Sequence, residues 1–373
     1  MKRLLSLLLA LVLVFSLVAC SDKGTETKGE TNTETAGETA GETAGETPKT
    51  GAAIEKIALG TSVSLGSSKD STAQQDVTIA ALALDAEGKI VKAHIDVAQS
   101  KFKVKEDGTF EVAPESAEFK TKHELKDDYG MKAVSAKNGK IKDGGEWYEQ
   151  AKGFEDYIIG KTIDEVVAIE TKPSEDGSHP NVPAEADLLA TTTIDIGAFQ
   201  KAVADAANHT KDAKGAEKLG LAVKTVLGHN TASAQDGKAA NVQFESNISV
   251  TALDKDGKVV AALIDTAQNT VPFGEDHKVS SELKAEGTTK KKLGAEYGMK
   301  ETSAKIGKIK DGGEWFEQVE GLENHLVGKT KDEVSSIELK DGAPAEGTDL
   351  VATTTIAITD LQEATVKSFD NVK

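Results

Sequence analysis

The sequence predicts an α+β protein: two tandem homologous domains, each a mostly antiparallel sheet with packed helices, behind a signal peptide and a disordered linker. Three observations predict it. Apolar, β-branched runs flank glycine-containing turns, as in hairpins. Apolar residues recur at helical spacing after capping signals. Long segments of the first half return in the second at a nearly constant offset, and a period that long is a domain rather than a solenoid unit.

The elements follow in order. Lys2 and Arg3 precede one apolar run, 4–18, which is short for a membrane span and reads as a secretion signal. Residues 17–20, "LVAC", end it. That stretch resembles a bacterial lipobox, which implies cleavage before Cys20 and acylation of its thiol. Cys20 is the only cysteine, so no disulfide can form within the chain. Residues 21–53 repeat Gly-Glu-Thr-Ala and offer no core. They read as a solvated acidic tether with an r.m.s. span of roughly 30 Å.

The remainder divides into 54–211 and 212–373. Residues 84–99 match 253–268, 121–132 match 289–300, 160–166 match 328–334, and 187–194 match 349–356. Within each copy, 78–84 and 90–97, or 248–253 and 259–264, flank "DAEG" or "DKDG" and predict a hairpin. The stretch "YGMKAVSAKNGKIKDGGEWYEQ" (129–150) returns at 297–318 with 18 of 22 positions identical. Asp143 and Glu146 are spaced as N-cap and N3 of a helix carrying Trp147, Ala151, Phe154 and Ile158 on one stripe. Trp315, Val319, Leu322 and Leu326 repeat it. Gly160 and Gly328 fall where a glycine ends a helix, and Thr162–Glu165 and Thr330–Glu333 read as capping boxes of second, short helices. "DLLATTTIDI" reads as a strand. A helix follows through Phe199, Ala202, Val203 and Ala206, and in the second copy Thr359 and Gln362 suggest a box before a shorter helix.

A net charge of −18 argues against nucleic acid and anionic lipid as partners. Duplication supplies a filter for chemistry, because residues working in both copies should appear twice. None of the seven histidines does; His94 lies opposite Leu263, for example. The filter argues against a histidine triad or metal site operating in both domains. "GKT" lacks the upstream glycine of a phosphate loop, Glu155 and Glu323 standing there instead. "DGG" lacks the alternating acids of a calcium loop. Asp96 with Gln99, and Asp265 with Gln268, read as turn or edge contacts. The duplicated lysines Lys132, Lys137, Lys140 and Lys142, and Lys300, Lys305, Lys308 and Lys310, offer a basic patch for an anion. Tyr129, Met131 and Trp147, with Tyr297, Met299 and Trp315, stand ready to flank a flat ring. Against this, a tryptophan heading an apolar stripe is an ordinary core anchor.

At the hairpin and the Ala-Thr stretch, the chain resembles FMN-binding domains. These occur in flavin subunits of sodium-translocating NADH:quinone reductase and in tandem within Gram-positive surface lipoproteins that pass electrons outward. In that family FMN is joined through its phosphate to a hydroxyl following Ala. Ala190-Thr191 and Ala352-Thr353 match that end of the motif, whereas Leu188-Leu189 and Leu350-Val351 replace its [Ser/Thr]-Gly pair. The resemblance implies FMN held covalently at Thr191 and Thr353, or non-covalently beside Tyr129, Met131, Lys132 and Trp147 and their counterparts Tyr297, Met299, Lys300 and Trp315, together with a redox partner and a lipid-anchored protein on the extracytoplasmic face. The alternative is a cofactor-free cell-surface binding or structural lipoprotein on a diverged version of the fold. A hydrolytic or metal enzyme is the third reading, and the lack of any duplicated nucleophile–base or ligand set weighs against it.

Overall fold

Each half opens with three antiparallel strands. In the first they are β1 (Lys56–Ser64), β2 (Thr72–Leu84) and β3 (Ile90–Lys103). The computed structural model describes residues 52–373. The expected signal peptide, Cys20 and all but the last two residues of the expected tether lie outside the described residues. The β2–β3 hairpin turns where expected. Asp85 Oδ1 accepts from the N–H groups of Glu87 and Lys89, and Gly88 takes a φ of 77°, which only glycine adopts at low cost.

Helices α1 (Lys122–Leu125), α2 (Lys132–Lys137), α3 (Trp147–Ile158) and α4 (Ile163–Val167) follow. Then come a small ladder of β4 (Thr171–Lys172) and β5 (Val182–Pro183), and helices α5 (Ala186–Leu189) and α6 (Gly197–Ala206). Strand β6 (Thr210–Asp212) returns to pair with β1, giving a sheet of order β3-β2-β1-β6.

The second half repeats the plan. Strands β7 (Lys218–Leu227), β8 (Asn241–Leu253) and β9 (Val259–Pro272) form its sheet. Helices α7 (Lys290–Leu293), α8 (Lys300–Ile306), α9 (Trp315–Leu326) and α10 (Lys331–Ser335) follow. The ladder of β10 (Leu339–Lys340) and β11 (Ala343–Pro344) and the helix α11 (Thr359–Ser368) close the chain. Even the bulges correspond, at Ala83/Leu84 and Ala252/Leu253.

The halves share a core. Ile57, Leu59, Val77, Ile79 and Ala81 on one sheet pack against Leu219, Leu221, Val223, Ile248, Val250 and Leu263 on the other. The opposite face of each sheet is covered by its own helices. Trp147, Phe154, Ile158, Phe199 and Val203 cover the first; Trp315, Val319, Leu322, Leu326 and Leu361 cover the second. The result is four layers, helix–sheet–sheet–helix. It explains why β2 and β8 are buried on both faces, where an antiparallel strand usually leaves one face wet. All described residues belong to one compact unit, so 54–211 and 212–373 are halves of one body.

Contacts between the halves are reciprocal. Lys211 of the first reaches Glu323 of the second at 3.1 Å, and Lys373 of the second reaches Glu155 of the first at 2.6 Å. Lys292 meets Asp205 at 3.0 Å, and Lys367 meets Glu124. Position 124 corresponds to 292, and 205 to 367. The same two positions therefore carry acid in the first half and base in the second. Two first halves facing each other would set Glu124 against Asp205, and two second halves would set Lys292 against Lys367.

Three expectations are corrected. "DLLATTTIDI" is not a strand: Ala186–Leu189 is a helical turn, and Asp349–Ala352 a 3₁₀ turn. Winding buries Leu188 and Leu350 and leaves the threonines to bond with the neighbouring helix. The N-cap of α3 is Glu146, not Asp143. Asp143 and its counterpart Asp311 sit at φ 64°, outside helical geometry, while Glu149 and Glu317 complete the caps by accepting from Glu146 N and Glu314 N. α11 starts after Ile358 without the Thr359–Gln362 box and is as long as α6. Gln362 instead donates to the carbonyls of Val334, Ser335 and Ile337 at the end of α10. The capping boxes at Thr162 and Thr330, and the left-handed Gly160 and Gly328, are as expected.

Candidate functional site

The duplicated segment is tied together by two side chains in each half. Glu146 accepts from the N–H of Met131 at 2.9 Å and of Lys132 at 3.0 Å, so its carboxylate holds the Tyr-Gly-Met-Lys turn. Gln150, one turn along α3, donates to Gly145 O at 2.9 Å and to Ser135 Oγ at 3.3 Å. Its carbonyl accepts from the N–H and hydroxyl of Thr193 at 2.8 and 3.0 Å. Thr192 donates to Gln150 O. The second half repeats this knot through Glu314, Gln318, Ser303, Thr354 and Thr355. Both glutamines are fully buried, and a buried amide left unpaired is costly. The recurring "YGMK", "GGEWxEQ" and "ATTT" are thus parts of one construction.

Around it, each expected site residue has a clear place. Trp147 and Trp315 are 3% exposed and sit in the core. Tyr129 and Met131, like Tyr297 and Met299, pack half-buried against it. A lysine of the same half covers the rings. Lys122 Nζ stands 4.9 Å from the Tyr129 ring centroid and 5.4 Å from that of Trp147; Lys290 does the same at 5.3 and 5.4 Å over Tyr297 and Trp315. Lys290 is itself buried, and desolvation lowers its pKa against the pull of Glu245 and Asp265. Lys132 and Lys300 are exposed. Of the other patch lysines, Lys140 pairs with Glu175 and Lys308 with Glu346, both at the surface. The patch is a solvated rim.

Asp96 and Asp265 lie on edge strands, as expected, but not in turns. Each lies buried within a long strand. Asp96 accepts from the N–H of Val97 and of His123, and Asp265 from Thr266 and Lys291, so each anchors the start of a short helix to the sheet. Burial pushes the Asp96 carboxyl up to about 6 and raises Asp265 as well.

Thr191 and Thr353 are exposed, each just after its helical turn. Each hydroxyl donates to a backbone carbonyl at 3.2 Å, from Leu188 or Leu350. Each lies over a glycine of the neighbouring helix. A Cβ at Gly153 would come within 2.7 Å of Thr191, and one at Gly321 within 2.6 Å of Thr353.

One cluster was invisible to the duplication filter. His94 on β3, His123 on α1 and Glu155 on α3 bring one ligand atom each within 4.8 Å of one another. The two rings meet edge-to-face at 5.1 Å. Glu155 Oε1 accepts from Ile95 N at 2.8 Å, and Oε2 faces Lys373. Desolvation lowers the pKa of both imidazoles, His123 to about 4, so both are neutral, and it raises that of Glu155. In the second half the corresponding residues are Leu263, Lys291 and Glu323, and Lys291 Nζ bonds Glu323 at 2.5 Å. The sequence signal was there in the two histidines confined to one copy, but their meeting depends on a strand and a helix far apart in the chain. No family model, curated protein or solved structure matches this chain.

Proposed function

We propose that the chain is a membrane-anchored extracytoplasmic lipoprotein, held by acyl chains on Cys20 and a solvated tether. Its folded unit, two tandem copies of one ancestral domain, carries FMN on Thr191 and Thr353 and passes electrons to a redox partner. The observation that carries this reading is the setting of the two threonines. They are exposed, occupy the same place in each half, and stand outside any strand, so a phosphate ester there need displace only the single bond from each hydroxyl to the carbonyl of Leu188 or Leu350. The pairing of two carriers in one body suits electron transfer between them. The lipobox-like leader and the acidic tether support an extracytoplasmic position.

A second reading, a cofactor-free surface binding or structural protein, has one observation in its favour. The aromatics of the duplicated segment are turned into the core or covered by Lys122 and Lys290, which leaves them poorly placed to stack on a flavin. Protein produced with a flavin source separates the two. The flavin reading expects a yellow protein whose colour stays with the chain through acid precipitation and is lost in Thr191→Ala/Thr353→Ala. A colourless protein, or colour unchanged in the double variant, rules out these attachment points.

A further inference from the structure

His94, His123 and Glu155 form a set of donors without a ligand. Both ring nitrogens of His94 and Nε2 of His123 are buried and have no hydrogen-bond partner; they are three of the five such side-chain atoms among the described residues. A neutral imidazole always presents one donor and one acceptor, so an unpartnered buried ring wastes both. Two imidazoles and a carboxylate converging on one point are a three-ligand set suited to a borderline divalent metal.

The second half shows what the same position needs. There the buried carboxylate of Glu323 is met by two ammonium groups, Lys291 at 2.5 Å and Lys211 at 3.1 Å. In the first half one of those two cations is replaced. Lys373 corresponds to Lys211 and still reaches Glu155, but His123 stands where Lys291 would be, and His94 where Leu263 would be. The half without the second fixed cation carries two metal-type ligands in its place. Lys373 is 28% exposed at its side chain, so its ammonium has water to move into when another cation takes the carboxylate.

We propose that His94, His123 and Glu155 bind one divalent transition-metal ion of the zinc class, with solvent completing its coordination. The site belongs to the first half alone. It is independent of the flavin reading.

The test uses the mature chain carrying Thr191→Ala and Thr353→Ala, so that flavin contributes nothing. Co²⁺ and Zn²⁺ are the probes, added after chelator treatment. The expected result is one ion per chain, a Co²⁺ visible spectrum of tetrahedral type that Zn²⁺ erases, and a rise in Tm with either metal. His94→Leu/His123→Lys copies the second half's residues into the first and supplies the cation for Glu155, so it should fold, as circular dichroism will show. It is expected to lose the spectrum and the Tm rise. Glu155→Gln, which keeps its shape, is expected to weaken binding by more than about 100-fold, since even an outer partner of a ligand is worth 10–100-fold. Absence of stoichiometric binding by the parent chain overturns the proposal. So does undiminished binding by the folded double variant, which would place the ion elsewhere.

Discussion

Glu155 and Glu323 hold the same position in the two halves and answer to different neighbours. Each lies buried on the long helix and accepts from a backbone N–H of the facing strand, at 2.8 Å from Ile95 and 2.7 Å from Ile264. Glu323 is neutralised by two lysines, whereas Glu155 meets one lysine and a pair of uncharged imidazoles. On the same two helices, the Glu146–Gln150 knot and the Glu314–Gln318 knot use the same residues in the same geometry. Near-identity therefore marks the construction that both halves need in order to fold. Difference marks the place where the halves have parted. The most repeated segment of the chain is its buckle, and the histidines that do not recur, buried His94 and half-buried His123, are where the two halves differ.

The comparison can be broken most forcefully at the knot. Gln150→Ala and Gln318→Ala each strip partners from a backbone N–H, a carbonyl and two hydroxyls. Each is expected to cost about 3 kcal/mol, from two or three buried groups left unpaired. Denaturant unfolding of the two variants should give equal losses. A marked inequality would mean that the knots are not equivalent in energy despite equal geometry.

A smaller effect is expected at the sign-inverted pairs. Lys367→Glu sets like charges together at Glu124 and should cost about 1 kcal/mol, as half-buried surface pairs do. Adding Glu124→Lys restores opposite charges and should recover most of the loss in a double-mutant cycle. Full additivity of the two changes would show that this pair contributes nothing to how the halves face each other.

A further difference is expected in acid. His123 titrates at about 4 in the fold against 6.5 when free, and His94 is also lowered, both chiefly by burial. Between those values the unfolded chain binds more protons than the folded one, so their contribution to stability is lost as pH falls from 6.5 toward 4. Asp96, raised by burial to about 6, acts in the opposite sense below that pH and offsets part of the loss. Burial raises Glu155 too, which acts in the same sense as Asp96. Metal-free His94→Leu/His123→Lys should therefore lose less stability than the parent between pH 6.5 and 4. An unchanged profile would show that the imidazoles are not held neutral.

Several elements were legible because their signals are local. The stripe from Trp147 to Ile158 needs only a period of 3.6, and the boxes at Thr162 and Thr330 need only a spacing of three. "DLLATTTIDI" misled because its β-branched composition is a statement about preference, and burial of Leu188 with bonding of Thr192 and Thr193 to α3 outweighed it. Asp96 does lie on an edge strand, but its burial was not legible, because nothing nearby in sequence reveals that His123 and Thr121 close over it.

The sequence by itself determined the α+β class, the hairpins and long helices, and the duplication, since each rests on periodicity or on comparison of one segment with another. Only the tertiary structure decided that the two copies share one core, that Lys211 and Lys373 cross between halves, and that His94, His123 and Glu155 converge. Those facts depend on which sheet face meets which, and the apolar pattern of a strand buried on both sides looks the same whatever covers it.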